Sequence, residues 1–267
     1  MRMRLFVVFI GLTLISSTCN KYNKLLKSSD YNLKYEKALE YYDKKDYTRA
    51  MALLEEILPL LRPTAKGEPA YYKYCYCHYY TKEYYLAGYY FRNFSKLYPA
   101  GEKAEECLFM SGICNLKNSP RWSLDQTETY EAIKDFQQFL DKYPESNRRQ
   151  RCNNIIDSLN FKLERKAFEN AKLYHKIENY KSASIALKSM LEQYPNTPFK
   201  EEAMFLIVES DYLYALNSIE SKKLERFEQT IKSYTNFVAA YANSKKRKKA
   251  DQYYNQALEK VKKSKTN

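Results

Sequence analysis

The cysteines and histidines are the residues of this chain whose chemistry would suit catalysis or metal binding. The sequence of 267 residues contains 6 Cys and 2 His. Cys75, Cys77 and His78 stand closest together, in the segment CYCH. On a helix Cys75 and Cys77 point about 200° apart, and zinc sites prefer two to four residues between paired cysteines. We therefore expect neither a metal site nor a bound cofactor.

The other residue types that do acid, base or nucleophilic chemistry form no catalytic pattern. His78 and His175 lie far apart in the sequence, and the chain has no Gly-rich phosphate loop, no Gly-x-Ser-x-Gly and no His-Glu-x-x-His. Paired acids occur at Glu55-Glu56, Glu105-Glu106 and Glu201-Glu202. On polar helices such pairs usually form solvated faces. The sequence therefore predicts a protein that is not an enzyme.

Cys19 stands directly after a segment that is typical of a secretory leader. Arg2 and Arg4 supply its positive start, and residues 5–15 form an apolar stretch that is too short to span a bilayer. Residues 16–18 are small, as signal peptidases require. Cleavage just before Cys19 would resemble bacterial lipoprotein processing, in which the cysteine is acylated. The residues Ser16 and Thr18 depart from the usual recognition box, so ordinary cleavage nearby is the alternative.

The remaining cysteines are predicted to be buried free thiols. They are odd in number, so in an oxidising compartment they cannot all pair within the chain. Cys107 and Cys114 would lie roughly 10 Å apart along one helix, which is beyond disulfide reach. A bridge between neighbouring helices stays open as an alternative. The residues concerned are Cys75, Cys77, Cys107, Cys114 and Cys152.

A repeated pattern organises the chain beyond the leader and predicts an all-α fold. In the clearest copy an aromatic residue, Tyr84, precedes Ala87 by three positions, and Phe91 and Phe94 follow it by four and seven. These positions share one helical face, and Pro99 ends the second helix of the pair. Further copies centre on Ala50, Ala132 and Ala183. This spacing resembles the tetratricopeptide repeat, in which helix pairs stack into an α-solenoid.

The domain organisation follows from these repeats. The closing prolines Pro99, Pro144 and Pro195 are 45 and 51 residues apart, so inserted loops or longer helices must extend the usual repeat of about 34 residues. The segment 117–127 interrupts the third repeat. We expect a signal peptide over 1–18, an anchor and linker over 19–30 and a solenoid over 31–267. The solenoid has about five repeats (31–64, 68–100, 102–145, 164–196 and 200–243) and a capping helix over 245–265.

Tyrosine supplies the candidate binding residues. The chain has 28 Tyr, and rigid amphipathic rings suit the binding of extended peptides. In a tetratricopeptide superhelix the corresponding positions line the concave groove. The alternative is that the rings simply fill the repeat core. The candidates for peptide or partner binding are Tyr35, Tyr42, Tyr72, Tyr76 and Tyr79.

A basic run near the carboxyl terminus is the second candidate surface. The formal net charge is +13, or +11 once the two leader arginines are removed. Such a run suits nucleic acid, anionic lipid or an acidic protein, and export argues against nucleic acid. A merely solvated face is the alternative. The run consists of Lys245, Lys246, Arg247, Lys248 and Lys249.

The order of these features resembles the BamD family of outer-membrane lipoproteins, in the form we associate with Bacteroidetes. The similarity is carried by a leader ending in Cys19, the following YNKLLKSSDY, the Tyr-Pro endings at 98–99, 143–144 and 194–195, and the insertion SPRWSLDQT. The resemblance implies acylation of Cys19 and attachment to the outer membrane facing the periplasm. It also implies a scaffold role in β-barrel assembly, with a BamA-like barrel-bearing subunit and unfolded barrel precursors as partners.

A second function stays open at this point. Lipoproteins that capture solutes or glycans also contain helical repeats. Such a protein would more naturally have a longer chain and a Trp-rich binding platform, whereas Trp122 is the single tryptophan of this chain.

Overall fold

The computed structural model describes residues 21–266, and the side chains of residues 21–264. Cys19 and the leader lie outside this range. Within it every regular element is a helix, so the all-α prediction is confirmed. A short helix covers residues 21–26. It is followed by α1 (Tyr31–Asp43), α2 (Tyr47–Leu61), α3 (Gly67–Tyr80), α4 (Tyr84–Leu97), α5 (Ala104–Asn118), α6 (Thr127–Lys142), α7 (Arg149–Lys176), α8 (Tyr180–Gln193), α9 (Lys200–Leu216), α10 (Glu220–Ala240) and α11 (Arg247–Thr266).

The helices form tetratricopeptide-like pairs, as the repeat pattern predicts. Each second helix buries the alanine and the apolar residues of the pattern against its neighbours, because they share one helical face. In α4, for example, Ala87, Phe91 and Phe94 are fully buried. The small alanine leaves room for close helix packing. The equivalent buried residues are Ala50, Leu54 and Ile57, then Ala132, Phe136 and Phe139, then Ala183, Leu187 and Met190.

The turns inside three of the pairs share one backbone conformation. Lys45, Lys82 and Glu178 each adopt a positive φ, of 61°, 66° and 62°. The amide of each donates to a carbonyl in the last turn of the preceding helix, as that of Lys82 does to Tyr79 over 3.1 Å. Left-handed residues of this kind commonly end helices. The recurrence shows that these pairs are copies of one structural unit.

A glycine permits the close approach at the start of α3. A Cβ atom on Gly67 would lie 2.7 Å from the carbonyl oxygen of Leu61 and 2.8 Å from that of Arg62. Both contacts involve backbone atoms, which cannot swing away. Glycine at this position therefore lets α3 begin directly against the end of α2.

The chain divides into two compact units. Among the described residues, unit 1 contains 21–120 together with 126–153, and unit 2 contains 121–125 together with 154–266. The extra length predicted for the repeats is found in two places. The insertion separates the end of α5 at Asn118 from the start of α6 at Thr127, and α7 is 28 residues long. No helix within residues 21–266 is both long and apolar enough to cross a membrane.

Candidate partner-binding surfaces

The predicted tyrosines of unit 1 lie on the first helices of successive pairs. Tyr35 and Tyr42 belong to α1, and Tyr72, Tyr76 and Tyr79 belong to α3. Each of the five side chains is partly buried and packs against one of the core clusters. These rings therefore contribute to the repeat core and also leave part of their surface accessible to a partner.

On α3 the structure brings the predicted tyrosines into one cluster. The rings of Tyr72 and Tyr76 lie 4.9 Å apart between centroids, and those of Tyr76 and Tyr79 lie 6.2 Å apart. The ring of Phe91 in α4 contacts that of Tyr76 edge to face, with 5.0 Å between centroids. Such edge and tilted contacts fix the rings as a rigid platform. The cluster adds a member that the pattern missed, Tyr80, which is 46% exposed.

Tyr80 also connects this cluster to the first repeat. Its ring stacks on Tyr47 at 4.5 Å and lies 5.6 Å from Tyr76. Tyr47 in turn meets Tyr42 edge to face at 5.5 Å. Tyr42, Tyr47, Tyr72, Tyr76, Tyr79 and Tyr80 are named the tyrosine face from here on. Tyr35 has no ring contact with this face among the described residues.

Glu106 of α5 is the polar centre of the tyrosine face. The hydroxyl groups of Tyr72 and Tyr76 donate hydrogen bonds to the same carboxylate oxygen, over 2.8 Å and 2.5 Å. Burial, followed by the bond to Glu106, raises the pKa of Tyr76 far above its ordinary value, so this hydroxyl remains a proton donor. The carboxylate thereby ties the first helix of the third pair to the tyrosines of the second. Sequence reasoning assigned Glu106 to a solvated acidic pair.

Lysines lie over several of these rings. The ammonium of Lys73 is 4.2 Å from the ring centroid of Tyr42, and that of Lys66 is 5.1 Å from the ring of Tyr35. Lys103 approaches Tyr72 at 6.0 Å. Cations at these distances are attracted to the ring faces. Two of these lysines also pair with carboxylates, Lys73 with Asp43 at 3.8 Å and Lys103 with Glu102 at 3.4 Å.

Three residues of the basic run contact other side chains of the protein. Arg247 donates to Asp251 over 2.6 Å, and Lys249 donates to Glu209 over 2.6 Å. The ammonium of Lys246 lies over the ring of Phe205 at 5.2 Å. Lys246 and Lys249 thereby contact α9, whereas the pair of Arg247 with Asp251 lies within α11. Lys245 and Lys248 are exposed, so they are the part of the run that is available to a partner.

The five cysteines after Cys19 are free and buried, as the sequence predicts. Burial raises the pKa of Cys77 and of Cys114 to about 12, so both remain unreactive thiols at neutral pH. Among the described residues no group of three or more His, Cys, Asp or Glu is arranged to hold a metal ion.

Comparison with known proteins gives a family match over most of the chain. The family model YfiO, described as an outer membrane lipoprotein, matches residues 28–227. The outer membrane protein assembly factor BamD of Pasteurella multocida is 22% identical over 224 residues, covering 80% of this chain and 86% of that protein. BamD of Caulobacter vibrioides is 26% identical over 130 residues, covering 49% of this chain and 42% of that protein. The similarity to Bacteroidetes forms stays a prediction.

Among solved structures, tetratricopeptide domains are similar at low TM-scores. The TPR2AB domain of yeast Sti1 gives a TM-score of 0.41 at 14% identity, covering 86% of this chain and 99% of that one. The TPR domain of P58(IPK) gives 0.40 at 15% identity, covering 92% of this chain and 69% of that one. The fold assignment rests on the helix pairs themselves.

Proposed function

Because this chain belongs to the YfiO family of outer membrane lipoproteins, we propose that it is a scaffold subunit of the outer-membrane β-barrel assembly complex. The observation that carries the proposal is the family match over residues 28–227, which spans both units. Relatives that match are named outer membrane protein assembly factors. In this role the chain binds a BamA-like barrel-bearing subunit and unfolded barrel precursors, and catalyses no reaction.

The attachment to the membrane is proposed to be covalent. Cys19 follows the leader and directly precedes the described helices, so cleavage before it would place an acylated cysteine at the start of the mature chain. Three acyl chains, at about 0.8 kcal/mol per buried methylene, hold a protein firmly on a bilayer. The protein would then lie on the outer membrane and face the periplasm.

The tyrosine face is the proposed site for extended segments of barrel precursors. Barrel strands alternate apolar and polar residues, and aromatic residues are abundant at their ends. The rings of Tyr76 and Tyr80 offer apolar area at little entropic cost, because their neighbours already hold them. Lys73 and Lys103 lie over rings of this face, and their ammonium groups are proposed to exchange Asp43 and Glu102 for carboxylates of the peptide. The exposed Lys245 and Lys248 are proposed to dock on an acidic surface of a partner subunit.

A pull-down in mild detergent tests the proposed role. The chain carrying an affinity tag at its carboxyl terminus is purified from its own membranes, and its partners are identified by mass spectrometry. We expect an outer-membrane barrel protein as the main partner. Recovery of a small-molecule uptake system without any barrel assembly subunit would instead favour the solute-capture alternative.

Binding to the tyrosine face is tested separately with a synthetic peptide from a barrel strand that ends in an aromatic residue. Tyr80→Ala is expected to weaken peptide binding about tenfold, since an exposed aromatic contact contributes roughly 1–2 kcal/mol. Tyr85→Ala is the matched control, because Tyr85 is 65% exposed but lies outside the face. Equal affinities for both variants would exclude the tyrosine face as the peptide site.

A further inference from the structure

The first described residues form a helix that is packed firmly onto the first repeat. Leu25 is 9% exposed and belongs to the core of α1 and α2. The fully buried ammonium of Lys34 donates to the carbonyl of Leu26 over 2.9 Å and pairs with Glu56 of α2. The ring of Tyr22 meets Tyr41 of α1 edge to face at 5.7 Å. The segment from residue 21 to 28 therefore has a fixed position on α1.

Between this segment and α1 lies a groove of about 630 Å³ that is lined by apolar and by basic side chains. Leu25, Leu33 and Tyr41 provide the apolar part. Leu33 is 39% exposed, and the neighbouring Tyr31 is 45% exposed. The lysines of the rim are Lys21, Lys24, Lys27 and Lys37. We call this feature the lysine groove.

Three of these lysines have no carboxylate partner within residues 21–266. Lys21 and Lys24 lie on the short helix and Lys27 directly follows it. All three are exposed and recur at every third position, so they point to one side. The acids nearby are engaged elsewhere or exposed. Glu40, which also lines the groove, accepts from Lys37 and Lys44 over 2.6 Å each, and Asp30 caps α1 by accepting from the amide of Leu33. Glu36 is an exposed acid of α1.

The groove also lies close to the proposed attachment point. Lys21 follows Cys19 by two residues, and two residues of extended chain reach at most about 7 Å. An acylated Cys19 would therefore hold the lysine groove at the bilayer surface. We propose that the lysine groove binds the anionic phospholipid surface of the membrane that carries the acyl anchor, with the ammonium groups on phosphates and Leu33 at the apolar boundary.

This inference rests on the proposed acylation for its location, yet its chemistry is independent of it. Basic residues near an anionic bilayer add binding free energy, and stable attachment commonly combines a lipid chain with a basic patch. Here the second signal would be built into a packed helix rather than a loose tail. It would hold the first helix pair against the membrane in one orientation.

Sedimentation with lipid vesicles tests the proposal on the full mature chain carrying Cys19→Ala, so that no acyl chain contributes. The vesicles are phosphatidylcholine alone or with about one third phosphatidylglycerol. We expect binding to the anionic vesicles only, and a decline of that binding with added salt. The triple variant K21Q/K24Q/K27Q should lose roughly a hundredfold in partition coefficient, at a factor of about five per lysine.

The matched control is K96Q/K117Q/K134Q, which removes the same charge from exposed lysines of α4, α5 and α6. It should lose less than about threefold in partition coefficient if the lysine groove is the contact. Equal losses in both triple variants, or no binding to anionic vesicles by the parent chain, would overturn the proposal. Because the parent lacks Cys19, these outcomes are independent of acylation. Failure of acyl labelling in cells would refute the proposed anchor and leave the vesicle result standing.

Discussion

At the scale of single residues, the most informative side chain is Glu106, because it determines how the tyrosines of α3 are held. Tyr72 and Tyr76 both direct their hydroxyl groups to its carboxylate, although their rings stay partly exposed. A ring that is fixed by a hydrogen bond at its tip loses little entropy when a ligand covers it. The same contact thus serves stability and would prepare the proposed peptide site.

Replacing Glu106 should therefore destabilise unit 1. We expect Glu106→Ala to lower the free energy of unfolding by about 1–2 kcal/mol, because two hydroxyl groups lose a charged acceptor and water replaces it only in part. Urea denaturation measures the change. Glu102→Ala is the control, since the side chain of Glu102 is 88% exposed and its one ion pair, with Lys103, is long. Equal stabilities of the two variants would show that Glu106 holds nothing in place.

Glu209 leads to a prediction about acid stability in unit 2. Burial alone would raise its pKa, but His175, Lys249 and Tyr253 around the carboxylate outweigh burial and lower the pKa from 4.5 to about 2. A lowered folded-state pKa stabilises the fold above pH 4.5, and this contribution is lost as the pH falls from 4.5 to 2. We expect Glu209→Gln to be less stable than the wild type at pH 7.

The difference in stability between the wild type and Glu209→Gln should then become smaller below pH 4.5, because the wild-type carboxylate takes up its proton. Thermal unfolding midpoints between pH 7 and pH 2.5 measure this. Glu192→Gln, a change at an exposed carboxylate of α8, should run parallel to the wild type. A difference in unfolding midpoint between the wild type and Glu209→Gln that stays constant over this pH range would contradict the account.

At the scale of elements, the recurring turns show how the helix pairs are closed without glycine. Lys45, Lys82 and Glu178 all adopt the left-handed conformation, which favours glycine because it has no Cβ. The turns persist because two amide hydrogen bonds and the packing of both helices hold them. In the second pair the amides of Lys82 and Glu83 bond back to Tyr79 and His78.

Glycine at such a turn should consequently stabilise the fold. Lys82→Gly is expected to raise the free energy of unfolding by about 0.5–1 kcal/mol, since relief of the left-handed strain exceeds the entropy that glycine adds to the unfolded chain. Lys134→Gly, at an exposed position inside α6, should lower it by about 1 kcal/mol. Urea denaturation compares the two. A loss of stability at both positions would mean that Lys82 carries no strain.

The elements also show what the sequence can and cannot predict. The alanine-centred pattern predicts the second helices well, because its apolar residues share one buried face, as Phe136 and Phe139 do in α6. It could not predict that α7 begins at Arg149, since the first half of this helix is polar and lacks the pattern. The pattern also could not predict contacts between residues that are far apart in the sequence.

Two buried aspartates illustrate that last point. The carboxylate of Asp135 in α6 accepts hydrogen bonds from Arg92 of α4 over 2.6 Å and from Asn115 of α5 over 2.7 Å. The carboxylate of Asp211 in α9 accepts hydrogen bonds from Ser184 of α8 over 2.5 Å and from Ser233 of α10 over 2.6 Å. Each carboxylate therefore joins three successive helices. The sequence shows only that each carboxylate lies among the apolar positions of its helix. It does not show which side chains bind that carboxylate.

At the scale of the whole molecule, each compact unit carries a different candidate surface. Unit 1 carries the tyrosine face and the lysine groove, and unit 2 carries the exposed Lys245 and Lys248. Scaffold proteins need several such surfaces, because they bring partners together rather than transform them. Under the proposed function, unit 1 would receive an unfolded precursor and unit 2 would dock on a partner subunit.

The central claim, a role in β-barrel assembly, is tested most directly by depleting the protein and measuring the folded barrel proteins in the outer membrane. Folded barrels resist unheated detergent and migrate differently in gels, so their fraction can be followed over time. We predict that the folded fraction falls several-fold before growth stops, and that the wild-type chain restores it. Unchanged levels of folded barrel proteins after complete depletion would contradict the account.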